Sequence, residues 1–500
     1  MTGSRLDQLA ALVGGHLLGV TVDPPTILDV THDSRQAGPG WLFVAIRGAS
    51  IDGHDHVAQA VSAGAAAVCV EHDTGVEVPQ LVVPDTRRAL GNLAARVHRD
   101  PSHDLAVVGV TGTNGKTTVT HYVESIADHA GLVTGLIGTI QTRVGERAFE
   151  SARTTPEATD FQRLLAAMRD SGARLVSAEV SSHALALGRV RATRFRVAAF
   201  TNLSQDHLDF HGDMESYLAA KSTLFLEYEV GTSVIDVDDA AGSRIADEVA
   251  TRADHALVRV GTDGDARSEA RNPTGVGTGF QLYTPWGNAE VETPVIGEFN
   301  VDNAVLAAVC CLAAGIGFDQ VVSGLAGLPG VPGRFERVSG DDPVTVIVDY
   351  AHTPAGIAHA IETARRLGRG RVIALVGAGG DRDREKRPMM GAAASAADLA
   401  VITSDNPRSE NPDEIIAAVV AGVDLRESVI VEPDRRRAIE TALASAVEGD
   451  VVLVLGRGHE PYQEIRGRRL AFDDRSVARE QLAVMRRSTN SVPGPGSMGA

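Results

Sequence analysis

The chain has 500 residues, 43% of them hydrophobic, and a formal net charge of −18. That length suits about three domains with cores of their own, and the apolar content excludes wholesale disorder. The acidic balance argues against nucleic acid or an anionic membrane as partner, so an anionic ligand would need a local cationic pocket. No apolar run reaches transmembrane length, and Met1 to Val13 lacks the basic-then-apolar pattern of a signal peptide. The three cysteines, Cys69, Cys310 and Cys311, have no metal-ligand spacing and fit a reducing compartment. The expectation is a cytoplasmic protein without membrane insertion. Of the 47 strong cations only Lys116, Lys221 and Lys386 are lysines. A lysine offers a compact charge and an amine whose pKa can be lowered, which arginine does not, so all three are candidate functional residues.

In chain order, residues 1–103 read as a small α/β unit. Asp33-Ser34-Arg35 leads into a strand at Trp41 to Ile46, a helix follows from about His56 to Ala66, and Arg99-Asp100-Pro101-Ser102 marks a junction. Residues 104–332 open with a strand at Leu105 to Val110, a Gly/Thr/Asn loop and a helix from Lys116 to about Ala130. Further strands are expected at Leu175 to Val180, Val197 to Thr201 and Ser233 to Asp236, with helices between, which predicts a parallel sheet. Residues 333–487 alternate again. Strands at Val344 to Val348, Arg371 to Val376, Leu399 to Thr403, Ser428 to Val431 and Val451 to Leu455 predict a doubly wound, Rossmann-like third unit. The Gly/Pro/Ser-rich segment 488–500 reads as a disordered tail.

The strongest local signal is Gly112-Thr113-Asn114-Gly115-Lys116-Thr117-Thr118, between a strand and a helix. Backbone N–H groups of such a loop can cradle phosphates at a helix N-terminus. Its spacing departs from the common Gly-x4-Gly-Lys form, because Val110 stands five residues before Gly115. Glu179-Val180-Ser181-Ser182-His183 and Asp206-His207-Leu208-Asp209-Phe210-His211 both follow predicted strands, where open α/β sheets bind ligands. Glu179 is a natural Mg²⁺ ligand, whereas the imidazole of His207 suits softer ions. Lys221, in an apolar stretch, reads on its own as a snorkelling side chain. The alternative is a lowered-pKa amine able to add CO₂ and become a carbamate.

Taken together these segments resemble the Mur ligases, over about residues 25 to 480. The resemblance rests on Asp33-Ser34-Arg35, the glycine loop, Thr154-Thr155-Pro156-Glu157, the Glu179 and Asp206 segments, Gly333-Arg334-Phe335-Glu336-Arg337-Val338, Asp349-Tyr350-Ala351-His352-Thr353-Pro354, Asp405-Asn406-Pro407-Arg408 and Gly456-Arg457-Gly458-His459-Glu460. It implies three α/β domains: an N-terminal UDP-substrate-binding domain, a central ATPase domain and a C-terminal amino-acid-binding domain. The implied activity is ATP-dependent addition of meso-diaminopimelate to UDP-N-acetylmuramoyl-L-alanyl-D-glutamate through an acyl phosphate, in peptidoglycan precursor synthesis, by a monomer using Mg²⁺.

The resemblance also implies roles. Gly112 to Thr118, with Asn300, Asn303, Arg334, Asp349 and His352, would bind ATP, Arg334 approaching the phosphates only once the C-terminal domain closes. Thr117, Glu179, His207 and Lys221 would hold metal, Lys221 as N6-carboxylysine. Lys116, Glu179, His207 and Lys221 would be catalytic. Ser34 would bind the uridine end of the UDP substrate, and Thr154, Thr155, Ser181 and Arg189 its muramoyl-dipeptide part. Arg382, Asp405, Asn406, Pro407, Arg408, Gly456 and Glu460 would bind diaminopimelate. The physics agrees for Arg408: diaminopimelate carries a distal carboxylate that lysine lacks, and a planar guanidinium can grip it through two hydrogen bonds. Phe335, Arg457 and Pro461 depart from the family pattern and bear on amino-acid preference. No role is assigned to Lys386. The competing readings are a family relative adding another amino acid and a nucleotide-binding regulator without turnover.

Overall fold

Parallel strands buried on both faces read as unbroken apolar runs, and Val451–Leu455, all of it buried, is such a strand at the centre of the third unit. The computed structural model describes residues 3–490 apart from 20–22, 49–50, 152, 253–254, 275–276 and 425–427. Three larger sheets follow one another along the chain. The first has the order His16–Leu18, Gln80–Val82, Ala67–Val70, Trp41–Val44, Asp29–Thr31, with only the first strand antiparallel. The expected helix from His56 to Ala66 is shorter than predicted. A 3₁₀ turn at Gly53–His56, capped by the Asp52 side chain, precedes a helix limited to Val57–Ser62.

The second sheet has eight strands in the order Arg147–Glu150, Gln141–Val144, Thr134–Ile137, Leu175–Glu179, Ala106–Thr111, Phe195–Phe200, Val230–Asp236, Ala256–Val260. The last six are parallel; the first two form an antiparallel edge hairpin. Helix Glu298–Ala314 is apolar nearly all round because it is sandwiched. It packs on helix Lys116–His129, on this sheet, and on an antiparallel sheet formed by Arg267–Thr274, Gly277–Thr284 and Gly287–Thr293.

The third sheet runs Glu336–Arg337, Thr345–Asp349, Val451–Leu455, Val372–Val376, Leu399–Ile402, Val429–Val431, parallel except for its first strand. The chain is thus α/β, with three mainly parallel sheets. The C-terminal helix, Asp474–Asn490, runs past residue 488, where the tail was expected to begin, and the remainder of that tail lies outside the described residues. Among the described residues no helix is long and apolar enough to cross a membrane.

Candidate active site

In the second sheet, strand Ala106–Thr111 lies between Leu175–Glu179 and Phe195–Phe200, so the chain reverses its direction of travel across the sheet at that strand. The crevice beyond the carboxyl ends of such strands is where open α/β sheets bind ligands. The register brings Glu179 opposite Val110 and Phe200 opposite Thr111, so three loops leave at one level. The third sheet does the same with the loops after Asp349, Leu455, Val376 and Ile402. The two sets of strand ends face each other across a cleft.

On the central wall, Lys116 opens its helix and its Nζ donates to the carbonyls of Gly112 and Thr113, 2.9 Å from each. Lys221, on helix Met214–Leu226, is 1% exposed. Its Nζ donates to the same Gly112 carbonyl at 2.7 Å and lies 4.5 Å from the centroid of the Tyr217 ring. The snorkelling reading is therefore corrected: the side chain points inward, from a helix face that also buries Tyr217, Leu218, Leu224 and Phe225. Burial, then the neighbouring Lys116, pushes the Lys221 ammonium well below its ordinary pKa; burial likewise lowers that of Lys116.

The Glu179 carboxylate is held by the Thr139 N–H at 2.7 Å and by the Thr117 hydroxyl at 3.0 Å. The Thr139 hydroxyl lies 3.0 Å from both Glu179 Oε2 and Thr154 Oγ1. Behind it, the Thr155 hydroxyl donates to the Glu179 carbonyl at 2.7 Å and accepts from the Ser181 N–H at 3.1 Å. Arg189 donates to the Thr155 carbonyl and pairs with Glu157 at 2.9 Å. Asp206 gathers Lys386 Nζ at 3.0 Å, His352 Nε2 at 3.4 Å and His207 Nε2 at 3.6 Å. Burial holds His207 down to about 3, so its imidazole is neutral near pH 7. The oxygens of Thr117 and Glu179 suit a hard divalent cation, and the neutral nitrogen of His207, a softer donor, lines the same cavity. An ammonium at Lys221 would have no lone pair to offer, whereas a carbamate there would add oxygen donors to that set.

On the opposite wall, Arg334 donates to Thr117 Oγ1 at 2.9 Å, and its guanidinium lies 4.4 Å from the Tyr350 ring centroid. The third unit is therefore already closed on the glycine loop. Asp349 accepts from the N–H groups of Phe335 and Ala351 at 2.6 and 2.8 Å. Arg408 takes φ +50, a strained conformation held by its neighbours: its N–H donates to the Glu464 carbonyl at 3.0 Å and its carbonyl accepts from Arg466 at 2.7 Å. Its Nη1 donates to the Gly380 carbonyl at 2.6 Å. Glu460 accepts from Asn406 Nδ2, and burial, with Asp405 beside it, raises its carboxyl to about 7. Gly456, at φ +114, has no room for a side chain because a Cβ would meet Asp405 Oδ2.

Two adjoining cavities result. One, of about 260 Å³, is lined by Thr113 to Thr117, Thr154, Glu179, His207, Arg334, His352, Arg382, Asp405, Asn406, Arg408, Gly456 and Glu460. The other, of about 360 Å³, takes Thr118, Asn300, Asn303 and Asp349 together with Phe299, Leu306 and Ala351. They share Asn114, Gly115, Arg334 and Tyr350. His352, expected with the nucleotide residues, lines the first cavity and not the second. Gly112, Lys221, Thr155, Ser181, Arg189 and Pro407 stand behind the walls rather than in them. Ser34 is elsewhere: its hydroxyl donates to Gln59 at 2.9 Å, and its neighbours Asp33 and Arg35 line a separate groove of about 1340 Å³ with Arg143, Phe149 and Glu157. Sequence reasoning gave no role to Thr139, Asp206, Tyr350, Gly379 or Lys386, all of which line the cleft. Lys386 carried a signal as a retained lysine, and Asp206 and Tyr350 as members of the segments singled out above; Thr139 and Gly379 carried none.

Family models match along most of the chain: the Mur ligase family catalytic domain at residues 26–98, the Mur ligase middle domain at 110–311 and the Mur ligase glutamate ligase domain at 333–458. A UDP-N-acetylmuramoyl-L-alanyl-D-glutamate–2,6-diaminopimelate ligase of Geobacillus thermodenitrificans is 45% identical, over 92% of this chain and 96% of that one. The chain belongs to the Mur ligase family. A ligase of the same name from Gloeobacter violaceus is 46% identical, over 97% of this chain and 99% of its own. A solved structure of a ligase of that name is 30% identical, with a TM-score of 0.69, covering 97% of this chain and 99% of the other. Of the departures from the Mur ligase pattern, Arg457 is fully buried beneath the Glu460 loop, 3.6 Å from Asp474. It replaces a support, not a wall residue.

The cleft depends on backbone at Gly112, where φ is +145 and a Cβ would overlap Thr201 Oγ1. Gly112→Ala should lower stability by about 1–3 kcal/mol in denaturant unfolding and weaken nucleotide binding in calorimetry by roughly 100-fold or more, the cost of a misplaced phosphate cradle. Unchanged nucleotide affinity would show that the loop does not hold the phosphates.

Proposed function

We propose that this Mur ligase joins meso-2,6-diaminopimelate to UDP-N-acetylmuramoyl-L-alanyl-D-glutamate, converting ATP to ADP and phosphate, as a cytoplasmic monomer in peptidoglycan precursor synthesis. The observation that carries the reading is the convergence, in one cleft, of the Lys116 loop, the Glu179 carboxylate and the Arg408–Glu460 pair. Phosphate chemistry, a metal-binding carboxylate and a zwitterion-sized pair of charges have no reason to share a small cavity unless one reaction uses all three.

The nucleoside would occupy the cavity of Asn300, Asn303 and Asp349, with its phosphates reaching Lys116 and Arg334. The glutamate γ-carboxylate is a poor electrophile, so one of its oxygens attacks the γ-phosphorus and ADP leaves. Lys116 and Arg334 offset the charge that spreads over the transferred oxygens. Thr117, Glu179, His207 and carbamylated Lys221 would hold Mg²⁺, which supplies further offset of phosphate charge. The amine of diaminopimelate then attacks the acyl carbon and phosphate leaves. Thr154, Thr155, Ser181 and Arg189 support the dipeptide end, and Ser34 the uridine end. Closed walls exclude the water that would otherwise hydrolyse the acyl phosphate.

The carbamate rests on burial. A desolvated amine is neutral and nucleophilic, and adding CO₂ with loss of one proton turns that neutral amine into an oxygen-donor anion. For the amino acid, Arg408 would hold the distal carboxylate in two hydrogen bonds and Glu460 the distal ammonium, with Arg382, Asp405, Asn406, Pro407 and Gly456 completing the site.

The direct test is phosphate release with ATP, Mg²⁺ and the UDP-muramoyl dipeptide. It should appear with meso-diaminopimelate and not with L-lysine or without an amino acid; release with L-lysine alone would overturn the specificity. Arg408→Lys should raise KM for meso-diaminopimelate by roughly 10–100-fold, the loss of one charged hydrogen-bond pair, with little change in KM for ATP. Lys221→Arg keeps the charge and loses the carbamate; ligation should fall to near zero and extra Mg²⁺ should not rescue it, and full activity would end the carbamate assignment. Glu460 titrates at about 7 in the free protein, and an ammonium needs it ionised. Below that pH each bound diaminopimelate must expel a proton, so KM should rise about tenfold per pH unit below 7. Glu460→Gln should flatten that limb, and an unchanged limb in the variant would assign it to another group.

A further inference from the structure

Lys386 is the one retained lysine to which the proposed reaction gives no task. It opens helix Lys386–Ala394 in the third unit, and its Nζ donates at 3.0 Å to Asp206 Oδ1 of the central unit. Both side chains are 6% exposed. Asp206 accepts the backbone N–H of His207 at 3.0 Å and faces the His207 ring on its other oxygen, so the central unit itself holds it, while His352, on that same oxygen, comes from the third unit together with Lys386. Among the described residues His352 of the third unit also faces Asp206, at 3.4 Å, whereas the ion pair of Arg366 with Glu298 between these units is about half exposed on both sides and is screened by solvent. Lys386 and Asp206 also line the cleft between the Lys116 loop and the Arg408–Glu460 end.

We propose that Lys386 is a positioning residue whose buried pair with Asp206 sets the closed register of the third unit over the glycine loop, aligning the acceptor-amine site with the activated carboxyl; this rests on the ligase reading above. Substrates enter a cleft with walls from both units, so the units must part and re-close each cycle. When apart, both charges are hydrated. Closing them together comes near to break-even, because desolvation offsets attraction, so the pair does not hold the product in. Closing with one partner missing or displaced buries an uncompensated charge, which is strongly unfavourable. The pair therefore penalises misaligned closure more than it stabilises correct closure.

The test uses the full chain with ATP, Mg²⁺, the UDP-muramoyl dipeptide and meso-diaminopimelate, and measures phosphate and amide product together. Lys386→Met should lower kcat by about 100-fold while KM for ATP changes little. Phosphate released per amide formed should rise above one, as water reaches the acyl phosphate in a poorly closed cleft. Asp206→Asn, which keeps its shape, should show the same excess phosphate and serves if Lys386→Met fails to fold. The doubly neutral Lys386→Met/Asp206→Asn should recover at least tenfold of the lost rate, because no charge is left unpaired. Wild-type rate with one phosphate per amide in either single variant overturns the inference, as does a double variant whose losses simply add. No turnover by the unmodified chain would instead overturn the ligase reading.

Discussion

One carbonyl oxygen organises the site. Gly112 O accepts from both Lys116 and Lys221, which come from helices that have no other reason to meet. Two ammonium groups on one acceptor repel, and burial removes the water that would screen them. The fold resolves the conflict by making one of them poor at being charged: Lys221 is pushed furthest down, and Lys116, at the mouth of the loop, keeps a cationic task. The geometry is available only because Gly112 adopts a φ closed to side chains and Thr201 packs where a Cβ would lie. The proposed phosphate cradle and the proposed amine chemistry behind it thus depend on the same backbone position.

The second constraint is electrostatic. A chain with a net charge of −18 repels anions at long range, yet the proposed substrates carry several negative charges. The cleft answers with Lys116, Arg334, Lys386, Arg382 and Arg408 in a small volume, set against Glu179, Asp206, Asp405 and Glu460. The acids are deployed unequally. Glu179 accepts three hydrogen bonds from uncharged donors, whereas Asp206 is paired with a cation, and Glu460 is left able to take up a proton near neutrality. That inequality supports the proposed roles of metal ligand, structural anchor and site for an ammonium, three roles that composition alone cannot separate.

The sheets were legible because parallel strands leave continuous apolar runs, as Val451 to Leu455 was read to the residue; the helix after the glycine loop, Lys116 to Ala130, was read to within one. Several motifs were legible for the same reason, since the Gly112, Asp206, Asp405 and Gly456 segments follow parallel strands and sit at their carboxyl ends, whereas Gly333 to Val338 follows helix Phe318–Ala326. Three things were not. The antiparallel sheet of Arg267–Thr293 is polar and glycine-rich, so it shows no clean alternation to announce strands. Lys221 looked like a surface residue because the local apolar pattern does not reveal which helix face turns inward. The meeting of Asp206 with Lys386 joins residues 180 apart and depends on how two units dock, which no local pattern encodes.

Amino-acid choice, finally, is carried by backbone as much as by side chains. Arg408 pays conformational strain at φ +50, and that strain is tolerable because the hairpin Tyr462–Ile465/Arg468–Ala471 holds it through Glu464 and Arg466. The same stretch of chain carries Glu460, so the two groups proposed to read the distal end of the amino acid are tied to one another and cannot drift independently. Pro461 and Arg457 fall within or beneath that stretch. Arg457 is buried with Arg435 against the single carboxylate of Asp474 and donates to the carbonyls of Tyr462 and Phe472. A guanidinium spans several acceptors at once where an ammonium reaches fewer. Here those hydrogen bonds all leave from Nη2, while Nε and Nη1 are buried without a hydrogen-bond partner, so Arg457 ties the chain beneath Glu460 through one end of its guanidinium and does not line the cleft.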